Sequence, residues 1–156
     1  MPLTVSGRLP DMSTYLVSES AVIAATPQQL FDIVANPAMH PVIDGSGSVR
    51  AVRPDVPGRL SMGATFGMDM KLGAPYKITN TVVEFDEPHQ LAWRHFNGHL
   101  WRYIFEPVEG GTKVTEEWDA TRVHNRLALR LMGFPARNRA GILGTLKRLQ
   151  EITAPK

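Results

Sequence analysis

Residues 91–120, LAWRHFNGHLWRYIFEPVEGGTKVTEEWDA, carry the reading on which the fold turns. Leu91, Trp93 and His95 alternate with Ala92 and Arg94, which is the period of a strand, and the run stops at Asn97-Gly98. Trp101, Tyr103 and Phe105 then share one face of a second run, which turns at Gly110-Gly111. Val114, Glu116, Trp118 and Ala120 share one face of a third. Asn-Gly and Gly-Gly between alternating runs are hairpin signals, so this stretch is an antiparallel meander.

Upstream the same period continues. Phe66, Met68, Met70 and Leu72 share a face opposite Thr65, Asp69 and Lys71, and residues 76–85 form another strand closed by Asp86-Glu87-Pro88. Val49 to Val52 is a short strand with Pro54 and Pro57 just beyond it. Tyr15 to Ala25 alternates as well and reads as the first strand of the chain. Between these two strands, Thr26-Pro27 opens a helix: Thr26 caps it, and Pro27 gives up an amide that the first turn would leave orphaned. Leu30, Phe31 and Val34 form its apolar stripe, Asn36-Pro37 ends it, and a second short helix or turn is expected over Pro37 to Ile43.

After Ala120 the period changes to that of a helix. Ile142, Leu146 and Leu149, with Leu143 beside them, have i, i+4, i+7 spacing, and Leu127 to Met132 forms an earlier turn of the same character. Gly133-Phe134-Pro135 should interrupt the helix between the two. Gly141 and Gly144 each weaken it by about 1 kcal/mol relative to Ala, unless a neighbouring backbone must come close there. The fold class is therefore α+β: a curved antiparallel sheet around a long C-terminal helix, with two short helices after the first strand. The organisation expected is a loose leader over residues 1–14 and a single domain over 15–156.

Composition narrows the functions. The chain has 156 residues, 43% hydrophobic and 21% charged, so it can bury about 70% of its unfolded surface and support a core unaided. It has no cysteine, which excludes disulfides, thiolate metal sites and thiol nucleophiles. No apolar run approaches the ~20 residues of a membrane span, and MPLTVSGRLPDM lacks the apolar region of a signal peptide, so a cytoplasmic location is expected. Seventeen Lys and Arg oppose fifteen Asp and Glu, a net +2. From Arg122 onward eight positive residues face one negative, Glu151, so the C-terminal segment is +7 and the rest −5. Read plainly, this is a solvated helix face complementing an acidic body; the sharper reading is a surface for an anionic membrane or an acidic protein. Nucleic acid is not expected as a partner, since no RNA-binding signature accompanies the arginines.

The element order and several local patterns resemble the START-like or SRPBCC superfamily, the polyketide cyclase/dehydrase and lipid-transport proteins, over residues 15–154. The residues carrying the resemblance are Ala25-Thr26-Pro27 with Leu30-Phe31 and Asn36-Pro37; residues 82–88 followed by Leu91-Ala92-Trp93; Phe105-Glu106-Pro107 before residues 110–114; and residues 146–149. The resemblance implies a helix-grip fold with a deep apolar cavity between the sheet and the last helix. It does not imply one function, since members bind lipids, sterols or polyketides, catalyse cyclisation or dehydration, or recognise other proteins.

Candidate ligand-binding residues follow from the strand faces. Phe66, Met68 and Met70 offer apolar and adaptable surface, and Tyr76, Ile78 and Asn80 share a face that could orient a carbonyl or hydroxyl. Trp93, Trp101, Tyr103, Phe105 and Trp118 should face the concave side; each alone reads as core, and the set reads as a pocket lining. Leu127, Leu131, Phe134, Ile142 and Leu146 complete the expected lining from the helical side, with entry near Gly133-Phe134-Pro135.

Two ionisable residues, His95 and Glu116, fall in phase with the apolar faces. Read as catalytic, they are an acid–base pair of a cyclase/dehydratase-type enzyme, with Tyr76 or Tyr103 orienting a carbonyl. Read plainly, one of them is a solvated or satisfied residue at a strand end. No metal or cofactor is expected: His95 and His99 flank a turn, His40, His89 and His124 stand singly at loop-like positions, and nucleophile-elbow and phosphate-loop motifs are absent. Three functions stay open: binding of a hydrophobic or amphipathic small molecule (lipid, polyketide or aromatic type), cyclase/dehydratase-type catalysis, and an interaction module using the basic segment. The oligomeric state is not legible.

Overall fold

The alternating runs pair in chain order, each with the next, in the computed structural model, which describes residues 12–95 and 97–156. The strands are β1 (Leu16–Ile23), β2 (Val49–Val52), β3 (Thr65–Leu72), β4 (Ala74–Asp86), β5 (Gln90–His95), β6 (Leu100–Val108) and β7 (Gly111–Asp119). They form one curved antiparallel sheet in the order β1-β7-β6-β5-β4-β3-β2. Only β1 leaves sequential order: it joins the far edge beside β7, with Val17 opposite Trp118 and Ile23 opposite Thr112. The hydrogen bond from the Thr112 hydroxyl to Ala25 O, 2.7 Å, locks that junction.

The helices are α1 (Pro27–Val34), α2 (His40–Ile43), α3 (Arg126–Leu131) and α4 (Phe134–Thr153). α1 begins as its chemistry requires. Thr26 Oγ1 accepts from Gln29 N at 3.1 Å while Thr26 N donates to Gln29 Oε1 at 2.9 Å, a reciprocal capping box. Its stripe of Leu30, Phe31 and Val34 is fully buried. Gly133, with φ of 78°, takes the left-handed conformation that separates α3 from α4.

α4 lies across the concave face, and Ile142, Leu146 and Leu149 are buried beneath it. Lys147 and Arg148 are exposed, and Arg139 Nη1 pairs with Glu19 Oε1 on β1 at 2.7 Å, so part of the basic segment is neutralised by the acidic sheet. Gly141 and Gly144 have the close neighbour that helix propensity alone cannot reveal. A Cβ on Gly144 would stand 2.9 Å from Gly45 Cα, and one on Gly45 would overlap the backbone nitrogen of Thr145. Loop 44–48 is thus pressed onto α4 backbone to backbone, and Gly45 N donates to Thr145 Oγ1 at 3.0 Å.

Met12–Tyr15 is a 3-10 turn, Tyr15 is buried, and its carbonyl accepts from Ala120 N at 2.8 Å. Residues 1–11 lie outside the described residues. Arg102 lies on the convex face of the sheet. There it is held between Glu84 and Glu117 at 2.7 and 2.9 Å, with a side chain only 18% exposed. Among the described residues no helix is long and apolar enough to cross a membrane.

Candidate functional site

Strand register determines which side chains meet on the concave face. Val17, Trp118, Trp101, Trp93 and Val82 are cross-strand neighbours in one row, running from β1 through β7, β6 and β5 to β4. One step further in, toward α1, the row reads Glu19, Glu116, Tyr103 and Leu91. One step out, Asn80 stands opposite His95. A belt of three tryptophans is therefore flanked by polar side chains on both sides.

Beneath α4 this face encloses a cavity of about 550 Å³. Met68, Met70, Ile78, Tyr76 and Asn80 border it from β3 and β4, the three tryptophans with Tyr103, His95 and Glu116 from β5 to β7, and Phe134 from the start of α4. The volume lies within the roughly 300–1,000 Å³ range of small-molecule pockets.

Six residues expected on the lining are elsewhere. Phe66 and Phe105 are buried in packed core, where Phe105 meets Phe31 edge to face at 5.8 Å. Ile142 and Leu146 are likewise packed rather than cavity-facing, because the α4 stripe that meets the cavity is rotated from theirs and consists of Phe134, Arg137, Asn138, Ala140, Gly141 and Thr145. Leu127 and Leu131 point outward, 58% and 79% exposed, because α3 turns its other side, with Leu129, to the cavity.

Other lining residues were not expected. His40 belongs to α2, is buried, and stacks on Trp93 with centroids 5.0 Å apart, its Nε2 donating to Val34 O at 2.8 Å. Burial pushes its pKa down to about 4, so it is neutral and acts as an aromatic plate. The helical spacing of Pro37 to Ile43 was the one signal available for it. His99 stacks on His95 at 4.5 Å across the turn, and burial, followed by the neighbouring His95, lowers its pKa to about 3. Asp44 borders the cavity too, but both its oxygens are occupied by its own loop, accepting from Ser46 and from Val49 N.

Glu116 is the deep polar group. Tyr103 Oη donates to its Oε1 at 2.8 Å, while its Oε2 is buried and has no hydrogen-bond partner among the described residues. Burial pushes its pKa up to about 8; the Tyr103 hydrogen bond partly opposes this and the nearby Asp44 charge adds to it. The carboxyl is therefore neutral at pH 7.

His95 is not its partner. It lies four residues beyond Leu91 on β5, whereas Glu116 is level with Leu91 across β6. That separates the two by about 13 Å along the strands and two strand spacings, about 9–10 Å, across them. His95 Nδ1 instead donates to Asn97 Oδ1 at 3.2 Å. The acid–base pair is thus not assembled as a contact, and what exists is a Tyr103–Glu116 dyad on one side of the tryptophan belt and a histidine pair on the other.

Asn80 Oδ1 and His99 Nδ1 are also buried without hydrogen-bond partners among the described residues, and both residues border the cavity. Three polar atoms left open in a largely aromatic space can be satisfied together by a guest molecule or by water. Among the described residues no group of three or more His, Asp or Glu is placed to hold a metal ion.

The chain and its fold have similar proteins. The chain is 40% identical over 141 residues to the uncharacterized protein Rv0088 of Mycobacterium tuberculosis, a match covering 86% of this chain and 62% of that protein, so the chain spans less than two thirds of its curated relative. Among solved structures, protein Ms6760 from Mycobacterium smegmatis superposes with a TM-score of 0.65 at 19% identity, covering 91% of this chain and 92% of that one. The AHSA1-like protein from Aeromonas hydrophila does so at 0.61 and 23%, covering 88% and 92%. At such identities the likeness is of fold alone. The sequence profile of polyketide cyclase / dehydrase and lipid transport proteins matches residues 15–151, and with a helix gripped by a curved seven-stranded sheet, the chain belongs to that START-like family.

Proposed function

We propose that this protein binds a hydrophobic or amphipathic small molecule between the sheet and α4. The observation that carries the reading is the roughly 550 Å³ cavity, lined by the tryptophan belt, into which buried Glu116, Asn80 and His99 bring polar atoms that have no partners among the described residues. A packed core would leave neither the volume nor the open hydrogen-bonding groups. Native mass spectrometry of gently purified protein, together with a panel of fluorescent apolar probes, tests it. A co-purified mass or saturable binding at tens of micromolar supports the reading, and no binding by any probe rejects it.

A second reading concerns how such a molecule arrives. The elbow between α3 and α4 presents Leu127, Leu131 and Met132, the last 65% exposed, beside exposed Arg130, while Leu129 and Phe134 of the same elbow line the cavity. A convex apolar tip among cations fits an anionic membrane surface, from which an amphipathic ligand could pass directly to the opening. The expected result is co-sedimentation with phosphatidylglycerol vesicles that weakens as salt rises, and none with phosphatidylcholine vesicles. Equal binding to both removes this reading.

A further inference from the structure

We propose that Glu116 is the specificity-determining group of the cavity, a neutral carboxyl that donates its Oε2 hydrogen to a carbonyl or similar acceptor oxygen of the guest, with Tyr103 as its positioning residue. This deepens the binding reading above and rests on it.

Oε1 is engaged by Tyr103 Oη at 2.8 Å, which fixes the carboxyl plane and leaves Oε2 as the atom that can meet a ligand. Among the described residues no ion pair reaches Glu116. Directly across from it on β1 stands Glu19, whose charge is taken up by Arg139 of α4. Asp44, after α2, adds negative potential, with its own oxygens spent on loop 44–48. The other titratable groups on the cavity are His40 on α2, His95 and His99 on the β5–β6 hairpin, Tyr76 on β4, and Arg137 on α4, whose positive charge acts on Tyr76.

Burial, with the Asp44 charge adding to it and no cation paired to the carboxyl among the described residues, holds the proton on Glu116, so the group facing the guest is a donor. Tyr103 strengthens that donor, since a hydroxyl donating to Oε1 withdraws charge from the carboxyl and polarises the O–H on Oε2. The matching guest offers an acceptor oxygen at this depth and an apolar, flat body across the tryptophan belt. The competing guest is an amine, which would take the proton and pair with a charged Glu116. Arg137 in the cavity wall disfavours it.

Two probes separate the cases: prodan, a naphthyl ketone whose emission shifts to the red when its carbonyl accepts a hydrogen bond, and 2-dimethylaminonaphthalene, the same ring system without the ketone. The expected result is that the protein prefers prodan at least tenfold at pH 7, with red-shifted emission. That preference should fall about tenfold between pH 7 and 9 as Glu116 gives up its proton, the competent fraction scaling the affinity. E116Q, which keeps a donor, should retain the preference without the pH dependence; E116M should lose it while still binding the ketone-free ring.

Tyr103→Phe should shift the midpoint of the pH profile rather than abolish binding. Equal binding of the two probes by the native protein overturns this proposal and leaves the cavity reading standing, whereas failure of both probes removes the cavity reading and this one together. Prodan binding that strengthens from pH 7 to 9 overturns it in favour of a charged Glu116. If E116M does not fold, the pH profile of the native protein still decides.

Discussion

The two ends of the concave face are built from the same sheet with the same alternation, yet one is solid and the other hollow. At the α1 end, Phe31 meets Phe85 and Phe105 edge to face at 5.4 and 5.8 Å, and Leu30, Ile23 and Leu149 close the space around them. At the α4 N-terminal end the sheet offers even larger side chains, Trp93, Trp101 and Trp118, and a cavity remains. The difference lies on the helix. Where α4 faces the cavity it presents Phe134 and Arg137 in its first turn and then Asn138, Ala140, Gly141 and Thr145, and where it closes the core it presents Ile142, Leu146 and Leu149. Two residues of one helix in adjacent positions, Gly141 and Ile142, belong to opposite regimes. The space therefore persists where the middle of the covering helix presents Ala140, Gly141 and Thr145 to the tryptophans of the sheet instead of large apolar side chains.

The comparison breaks most sharply if truncation costs the same at both ends. Leu146→Ala should lose ~2–5 kcal/mol, because it opens a void in packed core. Met70→Ala, beside an existing void, should lose about 1 kcal/mol or less. Urea denaturation of both variants measures this, and equal losses would mean the two ends are not differently packed.

Gly144→Ala sharpens the helix side of the comparison. Propensity alone would make it stabilising by roughly 1 kcal/mol. The 2.9 Å approach to Gly45 Cα should reverse the sign, giving a net loss of ~1–3 kcal/mol in the same assay. A more stable variant would show that loop 44–48 yields without cost.

The hollow end should also make stability depend on pH. Glu116 has its pKa raised from 4.5 to about 8, so between those values the folded chain holds a proton that the unfolded chain has lost, and stability falls as pH rises. His40 and His99, lowered from 6.5 to about 4 and about 3, work in the opposite direction but only up to 6.5. Above 6.5 the carboxyl increasingly dominates the histidines, so stability should peak near neutral pH and decline by about 1 kcal/mol on going to pH 8. Thermal unfolding across this range should show the decline, and E116Q should flatten it. A decline that survives in E116Q belongs to another group.

The smallest effect is expected at the rim. Leu131→Ser should change stability by no more than about 0.5 kcal/mol, since the side chain is mostly in water. Its vesicle binding should nevertheless drop. A large stability loss would place Leu131 in a contact that the monomer does not have.

Much of the site was legible in the sequence because strand phase is a local property. Period-two runs put Trp93, Trp101, Tyr103, Trp118 and Glu116 on one face, and Asn97-Gly98 and Gly110-Gly111 fixed which runs were neighbours. Helical phase was legible in the same way for Ile142, Leu146 and Leu149, but burial does not say against what. That is why two of these three were expected on the pocket and are found in packed core.

Local pattern therefore determined the element order, the antiparallel pairing and the face of each residue, since these depend on backbone period and turn chemistry a few residues apart. Only the tertiary structure decided which polar groups share a space. Glu116 found Tyr103 rather than His95 because cross-strand register, not in-phase spacing, sets distance. His40 became an aromatic wall because α2 is carried onto Trp93 by a loop held to α4 through Gly45 and Gly144, a contact between segments about a hundred residues apart that no local pattern encodes.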